Sequence, residues 1–387
     1  MAAEELTDTT FALQAYAFMS SPWEEAQREA FHKSSIYRRT ATCLVVEEAG
    51  RIVACAEALP MRQNLRGTVH PMAGVASVAS HPGSRRKGHV RALLNRLLRQ
   101  MRDQGCLLST LYPFRPSFYQ RFGYVGLPRK RTACLQTPGL RLAGEVPGTV
   151  SQLDLRDGFP EYTALTHELL RHWHGFAVFD EVQWAARREN PPQWLALACV
   201  DGAVVGALTY RITGFGGDLV GDDLLTTGPL GRALLLQFLA RHVDQVKTVS
   251  VTVAAGELAE LWDTDLEVTE TGRVALPGEP APMGRLLRMD ALDGMPCGTG
   301  DVTVQIVDDE LIGGTHRLVG ERGTMLVEQT TRRPTAVLTV AGLSGLAYGV
   351  LDPVDINARQ LGTVDPESLQ PLRRLFPRAS PYLFSTF

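Results

Sequence analysis

The sequence predicts a mixed α/β protein of the α+β kind, and three observations predict it. Short apolar runs of period two alternate along the chain with apolar runs of helical period. The order hairpin, strand, glycine turn, helix occurs twice, once up to residue 101 and again over 197–243. Beyond a Pro/Gly-rich passage at 277–282, a third region reads as strands followed by short helices. At 387 residues the chain exceeds one ordinary core, so several domains are expected.

Residues 11–19 are apolar and read as a helix. Ser20-Ser21-Pro22-Trp23-Glu24-Glu25 reads as the start of a second, with a serine to cap and proline in the first turn. Residues 44–47 and 52–58 flank Glu48-Ala49-Gly50 and form a hairpin. A polar connection then leads to a strand over 73–80. After His81-Pro82-Gly83-Ser84-Arg85-Arg86-Lys87-Gly88, the residues Val90, Leu93, Leu94, Leu97, Leu98 and Met101 recur at helical spacing, with Arg91, Arg96, Arg99 and Arg102 on other faces. A strand over 107–111 follows, then an aromatic stretch over 112–124 whose prolines leave room only for a short helix at 117–122. Residues 136–150 have the composition of a linker. The second unit has strands at 197–200, 204–210 and 219–225, the turn Thr227-Gly228-Pro229-Leu230-Gly231, and a helix over 232–243. In the third region, strands are expected at 302–306, 324–327 and 336–340, and helices at 344–349 and 366–375.

A formal net charge of −3 excludes reliance on an overall positive field, so neither nucleic acid nor a membrane surface is expected as a partner. The six cysteines form no C-x-x-C pair, which fits free thiols in a reducing compartment and offers no zinc spacing. No basic segment followed by an apolar one opens the chain, and no run is long enough to span a bilayer; a cytoplasmic location is the expectation. His172-Trp173-His174 has no carboxylate or cysteine at ligand spacing, so it reads as packing and no metal is expected.

The chemistry concentrates where strand 73–80 meets helix 90–101. Backbone N–H groups at a helix start are unpaired and the helix dipole favours anions there. Gly88 leaves the backbone open to close approach, and Arg85, Arg86 and Lys87 supply charge. This suits a pyrophosphate; a merely solvated basic loop is the plain alternative. The second glycine turn has only Arg232 beyond it and is a poor anion site. The tyrosine-rich stretch is either a satellite core or a source of chemistry. The chain closes on Ser380-Pro381-Tyr382-Leu383-Phe384-Ser385-Thr386-Phe387, too aromatic for a frayed tail, and is expected to dock.

Arg85-x-x-Gly88-x-Val90 resembles the acetyl-CoA loop (R/Q-x-x-G-x-G/A) of the GCN5-related N-acetyltransferases (GNAT), with Val90 replacing the final small residue. Together with Phe118-Tyr119-Gln120-Arg121-Phe122-Gly123-Tyr124 it resembles, more narrowly, the enhanced intracellular survival (Eis) acetyltransferases, which carry R-R-R-G and I-Y-G-R-F-G-Y at the same separation. The likeness runs coarsely over the whole chain. It implies a catalytic acetyltransferase domain at 1–140, a degenerate GNAT-like domain at 141–283, and a sterol carrier protein-like domain at 284–387.

The resemblance further implies acetyl-CoA as cosubstrate, held by Val78, Ala79, Ser80, Arg85, Arg86, Lys87, Gly88, His89 and Val90, with the backbone of Val78 polarising the thioester. Tyr119 would be the general acid and the terminal carboxylate of Phe387 the base, with direct attack by an amine of a small molecule: an aminoglycoside, a polyamine-like compound or a lysine side chain. A homo-oligomer, a hexamer, is implied as well. The acidic residues that draw polyamines into mycobacterial members are replaced by Ser20 and Thr386, and two aligned positions hold Ser77 and Phe114, so the acidic pocket is depleted. Glu24 and Glu25 are candidates to compensate, and Phe18 and Trp23 to line the pocket. Alternative functions are non-catalytic binding of coenzyme A or an apolar ligand, and transfer from longer acyl-CoAs.

Overall fold

The computed structural model describes residues 3–34, 38–140, 144–189, 192–262, 265 and 267–387. Three sheets organise them. In the first, strands run in the order Thr42–Glu48, Arg51–Leu65, Thr68–Ser80, Leu108–Leu111, Met283–Leu286 and Val125–Gly126, and Ala177–Phe179 adds to the second of these. Strands Thr68–Ser80 and Leu108–Leu111 are parallel, joined by the helix His89–Asp103, which lays Leu93, Leu94, Leu97, Leu98 and Met101 on the sheet. Each such side chain contributes about 1.5–3 kcal/mol on burial. Arg91, Arg96 and Arg99 stay exposed, as the helical pattern requires.

The second sheet repeats this order. The hairpin Trp194–Val200 and Ala203–Ile212, the strand Asp218–Asp223, the helix Pro229–Ala240 and a parallel strand Thr248–Val253 follow one another. The two sheets do not respect the segment boundaries expected from sequence. Arg131–Leu135 crosses into the second sheet, pairing with Thr248–Val253, while Met283–Leu286 returns to fill the first between Leu108–Leu111 and Val125–Gly126. A third sheet carries Thr324–Gln329, Gly314–Glu321, Gly300–Val307, Ala336–Thr339 and Gly362–Val364 in that order, with helices Val340–Ala347, Pro353–Ala358 and Pro366–Leu375.

Several local expectations are corrected. The second helix spans Glu25–Ser34, so Ser20–Pro22 lie outside it; the Gln27 side chain instead accepts from the Glu24 N–H at 2.8 Å. The polar connection expected over 59–72 is the far half of one long hairpin, Arg51–Leu65 with Thr68–Ser80. Gln63 and Asn64 are buried in it because they bond to other units. Gln63 donates to Gly175 O at 2.9 Å, and Asn64 donates to Leu170 O at 3.0 Å and Arg171 O at 2.9 Å. The strand Gly314–Glu321 escaped the sequence reading, since its only buried residues are Leu318 and Gly320. The helix placed at 344–349 begins at Val340, because Thr339 Oγ1 caps it by accepting from Gly342 N at 3.2 Å. Of the linker expected over 136–150, residues 141–143 lie outside the described residues, and the strand Thr149–Asp154 already occupies its end.

The hairpin tip is the meeting point of all three units. Arg66 donates through Nε to Ala347 O at 2.6 Å and through Nη2 to Leu346 O at 3.1 Å, capping the helix Val340–Ala347. The Arg66 N–H donates to His174 Nδ1 at 3.0 Å, which leaves the proton on Nε2 to bond Tyr348 O at 3.0 Å. His174 is thus a structural connector. Burial holds its pKa down at about 4. Because the folded pKa lies below the unfolded value of about 6.5, the unfolded chain takes up this proton first as pH falls. The corresponding stability, about 3 kcal/mol, is full above pH 6.5 and is lost as pH falls through about 4. His174→Gln, which keeps one acceptor and one donor, is expected to flatten the fall in melting temperature between pH 6.5 and 4, checked by thermal melts of both proteins across that window.

Candidate active site

The basic loop is shaped from three local conformations. Pro82–Ser84 forms a single 3-10 turn whose start is closed by His81 Nδ1 accepting from Gly83 N at 3.1 Å. Arg86 and Gly88 then take positive φ, 65° and 91°, which turns the chain into the helix His89–Asp103. Gly88 caps that helix with no side-chain bond to its first N–H groups, and a Cβ there would meet nothing within 4 Å. Open backbone donors at a helix start are what an anion requires.

The charges of the loop are divided in role. Lys87 Nζ lies 3.0 Å from Glu48 Oε2, and Ser84 Oγ donates to the same oxygen at 3.0 Å. These bonds hold the Glu48 carboxyl below its usual range. His89 Nε2 lies 3.0 Å from Glu48 Oε1 but off the direction of a hydrogen bond, so that contact is electrostatic only. Glu48 sits in the preceding hairpin and therefore anchors the loop. Arg85 and Arg86 are exposed and form no ion pair with any described residue, which leaves both guanidinium groups available.

Upstream of the loop, the parallel ladder between Thr68–Ser80 and Leu108–Leu111 stops at the Val75–Leu111 pair. Residues 76–80 continue without it, held on their other side by Cys55 opposite Ala79 and Glu57 opposite Ala76. A bulge intervenes, with Ser77 at φ 54°. The strand edge carrying Val78, Ala79 and Ser80 therefore has no strand partner among the described residues on the side where the sheet has parted. In the second sheet the equivalent ladder also shifts register, after Gly221, but pairs again at Asp223 opposite Thr252. There Gly231 packs on backbone, where a Cβ would meet Val205 O at 2.1 Å. Gly231 thus serves helix–strand packing, while Gly228 at the start of that helix has open space like Gly88 but no run of cations before it.

Tyr119 lies on the short helix Pro116–Gln120 and is 3% exposed. It shares one apolar cluster with Val75, Val78, Val90 and the helix leucines. Phe114, Phe118 and Tyr124 surround its ring at 5.5, 5.1 and 6.2 Å between centroids. Burial pushes its phenol well above the ordinary value, so it is protonated throughout the neutral range. Tyr124 differs in that its hydroxyl is engaged with Ser109 Oγ at 2.7 Å. The structure thus makes the aromatic stretch both a satellite core and the seat of a free phenol.

The chain terminus docks, as its composition predicts. Residues 381–385 are buried. The Tyr382 N–H donates to His174 O at 2.8 Å, Lys130 Nζ donates to Phe384 O at 2.6 Å, and Ser385 Oγ donates to Ala177 O at 2.8 Å. Phe384 stacks on Phe176 with centroids 4.6 Å apart. The Phe387 ring lies on Gly74, where a Cβ would come within 2.7 Å of it, and meets Tyr112 edge-on at 5.5 Å. The last residue therefore rests on the same strand whose edge opens two residues later.

Phe387 and Thr386 help line a cavity of about 1150 Å³ together with Ala76, Ser77, Glu57, Phe18, Tyr112 and residues of the second sheet. Tyr119 and the loop residues 85–90 are not on its wall; the structure links them to the cavity through strand 68–80. Ser20, Trp23, Glu24 and Glu25 are off the wall as well, and Trp23 packs on Phe11 at 5.5 Å instead. Sequence reasoning missed Tyr112, whose hydroxyl donates to Ser385 O at 3.3 Å, and Glu57, which accepts from Gln14 at 2.9 Å and from Ser77 at 3.1 Å. A charged residue within an otherwise apolar strand was the available signal for Glu57; nothing local marks Tyr112.

Residues 1–126 match the family described as acetyltransferase (GNAT) domain. An uncharacterized N-acetyltransferase of Streptomyces coelicolor is 27% identical over 303 residues, covering 71% of this chain and 70% of its own. In fold, the chain is similar to a GCN5-related N-acetyltransferase from Kribbella flavida, with TM-score 0.83 at 22% identity over 99% and 96% of the two chains. It is likewise similar to Eis1 from Mycobacterium abscessus, with TM-score 0.77 at 17% identity over 100% and 98%. The chain is an enzyme, an acyltransferase dependent on acetyl-CoA, with a GNAT domain at its N-terminal end. Replacing Arg85 and Arg86 together by Gln is expected to raise the KM for acetyl-CoA about tenfold or more, since each charged hydrogen bond contributes about 1.5–3 kcal/mol. The melting temperature should not move, because neither guanidinium is in an ion pair with a described residue. Steady-state kinetics and a thermal melt check both.

Proposed function

We propose that the chain transfers the acetyl group of acetyl-CoA to an amine of a small molecule by direct attack, as an Eis-like member of the GNAT enzymes. The observation that carries this reading is the juxtaposition on one strand of a freed edge, residues 76–80, and the seat of the terminal residue, Phe387 on Gly74. The strand edge at Val78, Ala79 and Ser80 and the loop Arg85, Arg86, Lys87, Gly88, His89 and Val90 fit the cosubstrate: an edge with no ladder on one side, open donors at the helix start, two guanidinium groups in no ion pair with a described residue, and a glycine with space above it. Lys87 and His89 contribute field and loop shape through Glu48.

In this reading the Val78 N–H polarises the thioester carbonyl. The amine nitrogen forms the new C–N bond as the C–S bond breaks. The proton leaving nitrogen passes to the terminal carboxylate of Phe387, and the departing thiolate takes the proton of Tyr119. A free α-carboxylate has a pKa of about 3.5 and is a weak base, so its work is chiefly to hold the amine and accept the proton as positive charge builds on nitrogen. The raised phenol of Tyr119 ensures that the acid is protonated when it is needed.

The same resemblance supports two further parts of the reading, a sterol carrier protein-like unit for 284–387 and assembly into a homohexamer, and the free thiols of the six cysteines support a cytoplasmic location. No helix among the described residues is long and apolar enough to cross a membrane.

Tyr119→Phe is expected to lower turnover about a hundredfold or more while leaving acetyl-CoA affinity unchanged, measured by thiol release and by calorimetry. Undiminished turnover would remove Tyr119 from the acid role. Extending the chain past Phe387 by a few residues displaces the carboxylate while the buried segment 381–385 can stay docked. A similar loss of turnover is expected, and a fully active extended protein would overturn the role of the terminus.

A further inference from the structure

The cavity at the terminus carries its own statement about what enters it. Its described wall holds the side-chain carboxylates Glu57, Asp222, Asp223 and Glu279 and the cations Arg38, Arg129, Lys130, Arg187 and Arg273. Each carboxylate has a cation. Arg38 lies 3.3 Å from Glu57, Lys130 lies 2.8 Å from Asp223, and Arg187 lies 3.1 Å from Asp222. Arg129 lies 3.7 Å from Glu279, too far for a strong hydrogen bond. Three of the four also accept from neutral donors: Thr209 and Gln193 on Asp222, Tyr382 on Asp223, Gln14 and Ser77 on Glu57.

Part of what remains uncommitted is positive. Arg273, on the exposed rim, forms no ion pair with a described residue. Nη1 of Arg129 is buried and has no hydrogen-bond partner. Against these stand Glu279, exposed and held only by that 3.7 Å contact, and the carboxylate of Phe387 that the acetyl-transfer reading takes as base. A polycation entering here would find Phe387 and the exposed Glu279 for its ammonium groups, and would sit beside Arg273 and Arg129. An acceptor with one amine and one carboxylate would find a partner at each end. Phe18, Phe31, Phe179, Trp184 and Leu383 on the same wall would cover an apolar body.

We infer that the acceptor is an amine that also carries a carboxylate, an amino acid-like zwitterion with an apolar body, and that Arg273 together with Arg129 binds its carboxylate. This deepens the acetyl-transfer reading and rests on it for the amine end; the carboxylate end rests on the cavity alone. Removing the acceptor carboxylate while keeping the rest of the molecule is therefore the discriminating change.

The test compares phenylalanine and tyrosine with phenethylamine and tyramine, with spermidine and kanamycin as polycations. Binding to the full chain in the presence of coenzyme A is measured by calorimetry, and turnover with acetyl-CoA by thiol release. Each amino acid should bind at least tenfold more tightly than its decarboxylated partner and than either polycation. In Arg273→Gln that ratio should fall about tenfold, with Arg273→Lys retaining more of it. Arg273 has no described ion-pair partner to lose, so an unchanged melting temperature confirms that the variant is folded. Equal or tighter binding of the decarboxylated amines, preferential turnover of a polycation, or an unchanged ratio in Arg273→Gln each overturns the inference while leaving acetyl transfer standing. Selective binding of the amino acids with no turnover of any amine supports the carboxylate site and overturns the transfer reading.

Discussion

The tip of the hairpin Arg51–Leu65 and Thr68–Ser80 caps two helices that belong to other units, and the architecture depends on this. Asn64 satisfies the last carbonyls of the helix Phe159–His172, and Arg66 those of the helix Val340–Ala347. Each helix would otherwise end with unpaired carbonyls in the interior, where an unsatisfied polar group costs about 1–3 kcal/mol. Burial lowers the Arg66 pKa to about 10, which still leaves it charged at neutral pH and suited to the negative end of a helix dipole. One end of the hairpin thus fixes the second and third units, while the other end carries the parted strand edge and the basic loop.

The exchanged strands make that coupling obligatory. Met283–Leu286 is buried along its whole length between Leu108–Leu111 and Val125–Gly126, so the sheet behind the basic loop closes only when a distant stretch of chain arrives. The same strand brings Arg285, 1% exposed, which donates to Asp309 at 2.6 Å, to Phe122 O and to Leu286 O. A buried guanidinium is tolerable only with its donors satisfied. Here the satisfaction ties the segment around Tyr119 to the third unit. The largest apolar cluster runs from Met61 and Leu108 through Leu286 to the helix Val340–Ala347 without a break between units.

Duplication of the strand–turn–helix order yields only one open site because the two parallel pairs end differently. In the first, the ladder ends at Val75 and does not resume past the bulge at Ser77; in the second the register shifts after Gly221 but pairing resumes at Asp223. Gly88 and Gly228 both leave open space at their helix starts, so the difference there lies in charge: Arg85, Arg86 and Lys87 precede the first, whereas the second has only Arg232, paired with Glu257 at 2.9 Å. The docked terminus makes the same distinction, since its ring rests on Gly74 of the open pair. The cavity beside it is lined by balanced charge, which sets it apart from a pocket built to gather polycations.

Taken alone, the sequence determined the features encoded within a few residues of one another. The amphipathic face of the helix His89–Asp103, the turn geometry around Gly88, the repeated order of elements and the apolar terminus are local patterns of period, charge and backbone freedom, and they appear in the structure where those patterns place them. Local pattern could not reveal which strands would exchange, because Arg131–Leu135 and Met283–Leu286 are short runs without a strand signal of their own and their partners lie far along the chain. Nor could it reveal that the polar stretch Gln63-Asn64 is strand, since those side chains are buried by bonds to residues about a hundred positions away. The pairing of Glu57 with Arg38 and of Asp222 with Arg187 was equally hidden, and with it the neutrality of the cavity. The reason is the same in each case: a strand's partner, and the charge that a buried side chain meets, are properties of packing between segments, and only the tertiary structure decides them.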